Sequence, residues 1–137
     1  VRYVGAYSNL DRIMVDGVSP VPSKSIFGVE PAHTWCYYYE KAELALQKQD
    51  WQEIIRLGKE VNQHELHPVD RIEWAPFLQA YAFSGDEMSF KSTALKIDSS
   101  PFVRLQACKT ITQMKTNGIP LSAGIESLLG EKLCRGQ

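Results

Sequence analysis

Apolar side chains recur at steps of three and four residues along most of this chain, starting at Trp35. Tyr38, Ala42 and Ala45 continue the first such stripe, and polar turn signals interrupt the pattern at short intervals. This spacing places apolar groups on one side of a helix, whereas a half-buried strand would alternate at every second residue. The sequence therefore predicts a series of short amphipathic helices, and it predicts that four aromatic residues pack in their core: Trp35, Tyr38, Trp51 and Trp74.

Residues that favour helix ends mark where each helix begins and stops. Asp50 followed by Glu53 has the spacing of a capping box, and Pro68 blocks continuation of the second helix. Turn signals at 84–86, 98–101 and 116–118 separate the later helices. The first helix is predicted from Pro31 to about Gln49, and the second from after Asp50 into the segment 62–68. The third runs from about Trp74 to the first of these turn signals, the fourth and fifth lie between successive turn signals, and the sixth opens at Pro120 and carries apolar residues to Leu133. Six helices with tight loops predict an all-α fold of three antiparallel hairpins.

Two prolines bear on these boundaries. Pro31 suits the first position of a helix, because its missing N–H would be unpaired there. Pro76 falls inside the third apolar stripe, where a proline in a helix interior costs about 3 kcal/mol. The third helix is therefore predicted either to begin close to Trp74 or to kink there.

Residues 1–30 differ from the rest of the chain. Residues 1–16 are compatible with a short extended piece followed by a helical turn capped by Ser8 or Asn9. Residues 17–28 are rich in Pro, Ser, Val and Gly, which predicts an extended arm. We therefore expect two parts, an N-terminal arm over 1–30 and a helical domain over 31–137.

Three cysteines, Cys36, Cys108 and Cys134, have no short-spaced partner. Cys36 and Cys108 stand among apolar residues of predicted helices, where a small buried thiol is the common explanation. The density of cysteine is too low to predict a disulfide framework. We therefore expect structural thiols.

The helices show an internal repeat, since the boundaries around Asp50 and Asp86 align. The apolar pairs Tyr38 with Trp74, Ala42 with Leu78 and Ala45 with Tyr81 then align as well, whereas Lys41 with Phe77 does not match.

On these residues the segment from Trp35 to Pro101 resembles two tetratricopeptide repeats, although Gln49, Gly58 and Phe90 depart from the family pattern. The resemblance implies a helical solenoid whose concave face is lined by the first helix of each hairpin. The positions that it places on that face are Tyr39, Glu43, Gln47, Gln79 and Phe83.

A second resemblance covers residues 27–51 and 70–86, which look like the C-terminal segments of large bacterial membrane proteins of the glycosyltransferase type. It implies that the chain is an accessory soluble domain attached to a membrane protein, contacting a glycan or a lipid-linked sugar. In that reading an exposed Tyr37 or Trp35 would stack on a sugar ring.

Chemistry-bearing patterns are sparse. His64 and His67 are spaced as H-x-x-H, but a structural zinc site needs four ligands and the sequence offers no matching set, so we expect no metal. We see no phosphate-binding loop, nucleophile elbow or cofactor fingerprint, so we expect no cofactor and no enzymatic activity. The net charge is −1 and the basic residues are dispersed, which argues against nucleic acid as a partner. No apolar run reaches the roughly 18 residues needed for membrane insertion.

Two functional hypotheses remain. The first is a non-catalytic helical scaffold that binds a protein or peptide segment, or the remainder of its own longer chain. The second is the accessory domain of a membrane glycosyltransferase. The tetratricopeptide alignment also argues against an acidic peptide tail as the partner, because Tyr39, Glu43 and Pro76 stand where carboxylate-clamping repeats carry Lys and Asn.

Overall fold

A computed structural model describes residues 21–98 and 100–135 of the chain. The chain divides into two units, Val1–Ala32 and His33–Gln137. The expectations for residues 1–16, and for the first part of the arm up to residue 20, lie outside the described residues.

Within the described part of the first unit, residues 24–27 are helical rather than extended. Lys24–Phe27 forms one helical turn, in which the carbonyl of Ser23 accepts hydrogen bonds from the N–H groups of Ile26 and Phe27. Gly28 ends this turn with a φ of 78°. The prediction of an extended arm is therefore wrong for this stretch, because Ser23 after Pro22 begins a turn.

The second unit consists of helices throughout, and no strand occurs among the described residues. Its elements are α1 (Trp35–Gln47), α2 (Trp51–Gln63), a 3₁₀ turn (Arg71–Trp74), α3 (Ala75–Ser84), α4 (Glu87–Ile97), α5 (Pro101–Thr116), and α6 (Ala123–Leu128), which continues into a π-helical turn (Leu129–Leu133). The predicted all-α fold class is confirmed.

Side-chain caps set most helix starts. The carboxylates of Asp50 and Asp86 each accept a hydrogen bond from the backbone N–H three residues later, and the hydroxyls of Ser100 and Ser122 do the same. The capping box at Asp50 is only half formed, because the Asp50 N–H donates to the carbonyl of Ala45 instead of to Glu53. Each of these caps satisfies one N–H that the first turn of a helix leaves unpaired.

Two predicted starts are wrong by a few residues. The first helix begins at Trp35 rather than near Pro31, because Thr34 is extended and its carbonyl accepts the first helical N–H, from Tyr37. The last helix begins at Ala123 rather than Pro120, because Ser122 caps it. Pro76 falls in the first turn of α3, where a proline is tolerated, so the helix begins after Trp74 as the first alternative predicted.

The core lies between the hairpins. Helix α1 packs against α2 and α3, and α3 packs in turn against α4 and α5. The largest fully buried side chains include Ile54, Leu57, Phe77, Leu78, Phe90, Ile97, Ile111, Ile125 and Leu133. The predicted core residues Trp35, Tyr38 and Trp74 are buried, as expected. Trp51, predicted to be part of the core, is only half-buried.

The residues of the three apolar pairs aligned by the internal repeat are buried in both hairpins. Tyr38 and Trp74 are both buried, as are the partners of the other two pairs, Ala42 with Leu78 and Ala45 with Tyr81. Lys41 is exposed whereas Phe77 is fully buried, so the mismatch seen in the sequence is also a mismatch in the structure.

The C-terminal segment is joined covalently to α5. Cys108 and Cys134 form a disulfide with a Cα–Cα separation of 5.3 Å, and Cys36 is free and exposed. The prediction of structural thiols is therefore wrong for Cys108 and Cys134, which lie 26 residues apart and meet because the last hairpin folds back. The buried position predicted for Cys36 is also wrong, because this thiol lies on the exposed side of α1. Next to this bond, Arg135 pairs with Asp98 at 2.5 Å.

Candidate functional site

The predicted face begins on α1. Tyr39, Glu43 and Gln47 are spaced four residues apart, so they lie on one side of the helix. Tyr39 and Glu43 are half-buried, and Gln47 is exposed. Burial raises the pKa of the Tyr39 hydroxyl, and the nearby carboxylates of Glu43 and Glu73 raise it further. The hydroxyl therefore stays protonated at neutral pH.

The second part of the face lies on α3. Phe83 is 43% exposed, and its ring stacks on Trp51 with centroids 4.8 Å apart and an interplanar angle of 16°. One helical turn before it, Gln79 is half-buried and donates a hydrogen bond to the carbonyl of Ala75. Trp51, which the sequence assigned to the core, is half-buried and packs against the edge of the core. Its position as the first residue of α2 gave no signal for a contact with a side chain of α3.

Helices α1 and α3 run side by side in the same direction. At their beginnings the indole Nε1–H of Trp35 donates to Glu73 at 2.5 Å, and its ring lies 4.6 Å from that of Trp74. At their ends the loop after α1 leads into Trp51, which contacts Phe83. The residues predicted on α1 and on α3 thus belong to neighbouring helices in contact. We call Tyr39, Glu43, Gln47, Gln79 and Phe83 the α1–α3 face.

Helix α5 extends this surface. It packs against α3, and a shallow groove of about 380 Å³ lies between the two helices. The groove is lined by Gln79 from α3 and by Lys109, Thr110, Gln113, Met114 and Asn117 from α5. Apart from Met114, these side chains are polar. The α5 residues of this groove were not predicted, because the internal repeat aligns only the first two hairpins. The helical spacing of the α5 residues is nevertheless visible in the sequence.

Charge differs along the surface. The α1 side carries Glu43 with Glu73 close to Tyr39, while the α5 side carries Lys109 in the groove. One side-chain hydrogen bond at the end of α5 already uses a donor and an acceptor of the groove, since Gln113 Nε2 donates to Asn117 Oδ1 at 2.9 Å. The free lone pairs and N–H groups of these amides remain available to a ligand.

The aromatic residues considered for stacking on a sugar are not presented for it. Trp35 is only 6% exposed and packs between Trp74 and Phe77, so that expectation is wrong for this residue. Tyr37 is half-buried, with His33 stacked on its ring at 3.5 Å and Lys41 Nζ 4.7 Å from the ring centroid. The Trp35 indole is therefore closed to a sugar ring, and the Tyr37 ring is already contacted by His33 and Lys41.

The histidines of the H-x-x-H pattern do not form a cluster with other ligands. His64 ends α2 and His67 lies in the loop after it, and both are exposed. Among the described residues, no group of three His, Cys, Asp or Glu side chains is arranged to hold a metal ion.

No helix within residues 21–98 and 100–135 combines the length and the apolar character required to cross a bilayer. Comparisons with protein-family models, with curated proteins and with solved structures gave no match to this chain.

Proposed function

We propose that this chain is a non-catalytic helical scaffold, and that it binds a protein segment on the surface formed by α1, α3 and α5. The single observation that supports this most is the arrangement of alternate helices. α1 contacts α3 and α3 contacts α5, and these contacts support a continuous side formed by the first helices of the three hairpins. Stacked hairpins that each contact their neighbours are the arrangement of helical repeats, whose extended surfaces bind partners.

The side chains on this surface fit binding better than core packing. Phe83 and Trp51 form a stacked, partly exposed aromatic pair, and aromatic residues are enriched at the centres of protein interfaces. Tyr39 adds a half-buried phenol that presents a hydroxyl next to Glu43. The amides of Gln79 and the α5 groove can both donate to and accept from a peptide backbone. An extended segment is therefore the partner of choice, whether from another protein or from a longer form of this chain.

The test uses a double variant that replaces no fully buried residue, although the Tyr39 ring packs against the edge of the core. Tyr39→Ala with Glu43→Lys removes the phenol and reverses a charge. The matched control, Gln52→Ala with Lys59→Glu, makes a truncation and a charge reversal at exposed positions of α2. Peptides are selected on the parent chain from a phage-displayed random library and then measured against each variant by fluorescence polarisation.

We expect the face variant to lose binding by at least about tenfold, which corresponds to roughly 1.4 kcal/mol, and the control to bind as the parent does. Circular dichroism of both variants verifies that they remain helical. Equal binding by parent and face variant, with the fold intact, would exclude this surface as the binding site.

A further inference from the structure

A second pocket, of about 360 Å³, lies on the other helices of the hairpins, where the end of α2 approaches α4. Its lining residues are Val61, Asn62, Glu65, Leu66, His67 and Lys96. None of them belongs to the α1–α3 face or to the α5 groove. The size is at the small end of the range for ligand pockets, about 300–1,000 Å³.

Lys96 brings a positive charge to this pocket. Its Nζ donates to Asn62 Oδ1 at 2.7 Å and lies 4.0 Å from the centroid of the Trp74 ring. Among the described residues, no carboxylate comes within 4.0 Å of this nitrogen. Partial burial lowers the pKa of Lys96, as expected where solvation is lost and no opposite charge replaces it. An ammonium has three N–H donors, so at least one remains for a ligand.

Glu65 brings a negative charge to the same pocket. It follows the end of α2 with a φ of 52°, the left-handed region in which glycine is usual. Backbone bonds from Glu65 N to Asn62 O and from Leu66 N to Val61 O hold it there. Within the described residues its carboxylate forms no ion pair, and so it does not neutralise Lys96 although both line one pocket.

We propose that this pocket binds a small zwitterion carrying an α-amino acid group, with the carboxylate of the ligand on Lys96 and its ammonium on Glu65. Two opposite charges that line one pocket without pairing match a ligand that carries both charges itself. Leu66, which is half-buried, supplies apolar wall for an aliphatic side chain. A simple carboxylate would face the like charge of Glu65, and a simple amine would face Lys96, so each half of the ligand alone is disfavoured.

The test compares three probes of matched shape. L-Leucine carries both charged groups, 4-methylpentanoate lacks the ammonium, and 3-methylbutylamine lacks the carboxylate. Each is titrated into the uniformly ¹⁵N-labelled full chain at neutral pH and constant ionic strength. The reporters are the Trp74 indole N–H, the Asn62 side-chain amide and the Leu66 backbone amide. We expect saturable shifts with leucine, and at least about tenfold weaker binding of each single-charge probe. Equal binding of leucine and a single-charge probe, or no shift with any probe, would overturn the proposal.

Two variants separate the roles of the charges. Lys96→Met removes the ammonium, keeps an unbranched side chain of similar length, and should reduce leucine affinity to that of the amine probe. Glu65→Gln, at an exposed position, should weaken leucine and strengthen 4-methylpentanoate, because a like charge is removed. Lys91→Met, at an exposed position of α4, is the control and should leave leucine binding unchanged. If Lys96→Met fails to fold, the Glu65→Gln result still decides, and an unchanged probe preference in that variant refutes the proposal.

Discussion

Replacing Gly58 by alanine tests how closely α2 and α3 pack, because Gly58 lies on the side of α2 that faces α3. A Cβ at this position would lie less than 3.0 Å from the Tyr81 hydroxyl oxygen and 3.1 Å from Phe77 Cδ1. Tyr81 is 3% exposed and Phe77 is fully buried, so neither ring has free space to move into. We therefore expect Gly58→Ala to destabilise the fold, although alanine is the better helix former.

The magnitude follows from two opposing effects. Overpacking a close-packed interior costs typically about 1–3 kcal/mol. Replacing glycine by alanine inside a helix stabilises by about 0.5–1 kcal/mol. The steric effect wins, and the net loss should be about 1–2 kcal/mol. For a domain of this size each kcal/mol lowers the melting temperature by about 3–5 °C, so the change is easily measured.

The assay is thermal and urea unfolding followed by circular dichroism at the helix band. Gly130→Ala is the matched control, because a Cβ at Gly130 would meet nothing within 4 Å. That variant should be as stable as the parent or slightly more stable. A second variant, Gly58→Ala with Tyr81→Phe, removes the hydroxyl that the new methyl meets. Measured against Tyr81→Phe alone, the alanine should then cost clearly less. Parental stability of Gly58→Ala would refute the close approach of α2 and α3.

Three further predictions concern stability. Replacing Cys134 by Ser should cost about 3–4 kcal/mol, because the bond to Cys108 closes a 26-residue separation; unfolding of the parent with reductant should match it, while Cys36→Ser should change nothing. Trp74→Ala should cost about 3–5 kcal/mol in urea unfolding, since the ring is 2% exposed and contacts Trp35 and Phe77; parental stability would contradict its place in the core. The hydrogen bond from Arg56 lowers the pKa of Glu53, so the ionised carboxylate stabilises the fold above its ordinary titration range, and this stabilisation is lost as the pH falls. In Glu53→Gln the melting temperature should therefore depend less on pH between pH 3 and 6. The same pH dependence in the variant and in the parent would show that the pair contributes nothing.

Local signals in the sequence predicted the helices well. Asp50, Asp86 and Ser100 each accept a hydrogen bond from the backbone N–H three residues later. Both partners of such a bond lie close together in the sequence, so the sequence alone can predict where the helix begins. The turn signal at 116–118 likewise predicted the end of α5, where Gly118 has a φ of 88°. The errors at Pro31 and Pro120 came from ranking a proline above the Thr34 and Ser122 that follow a few residues later and define the actual starts.

Features that depend on distant residues were not predicted. The Cys108–Cys134 bond requires the last hairpin to return to α5, and nothing in the spacing of the cysteines indicates that return. The stacking of Trp51 on Phe83 and the groove between Gln79 and α5 likewise arise from contacts between helices. An apolar stripe shows which side of a helix is buried, but it does not show which neighbouring helix covers its edge.

The most direct test of the proposed scaffold function is to map a bound peptide on the ¹⁵N-labelled chain. The peptide that binds the parent most tightly in the library selection is titrated, and the shifted backbone and side-chain amides are assigned. We predict chemical-shift changes on α1, α3 and α5, including Gln79, Gln113 and the residues around Tyr39 and Phe83. Shifts confined to α2 and α4 would contradict it.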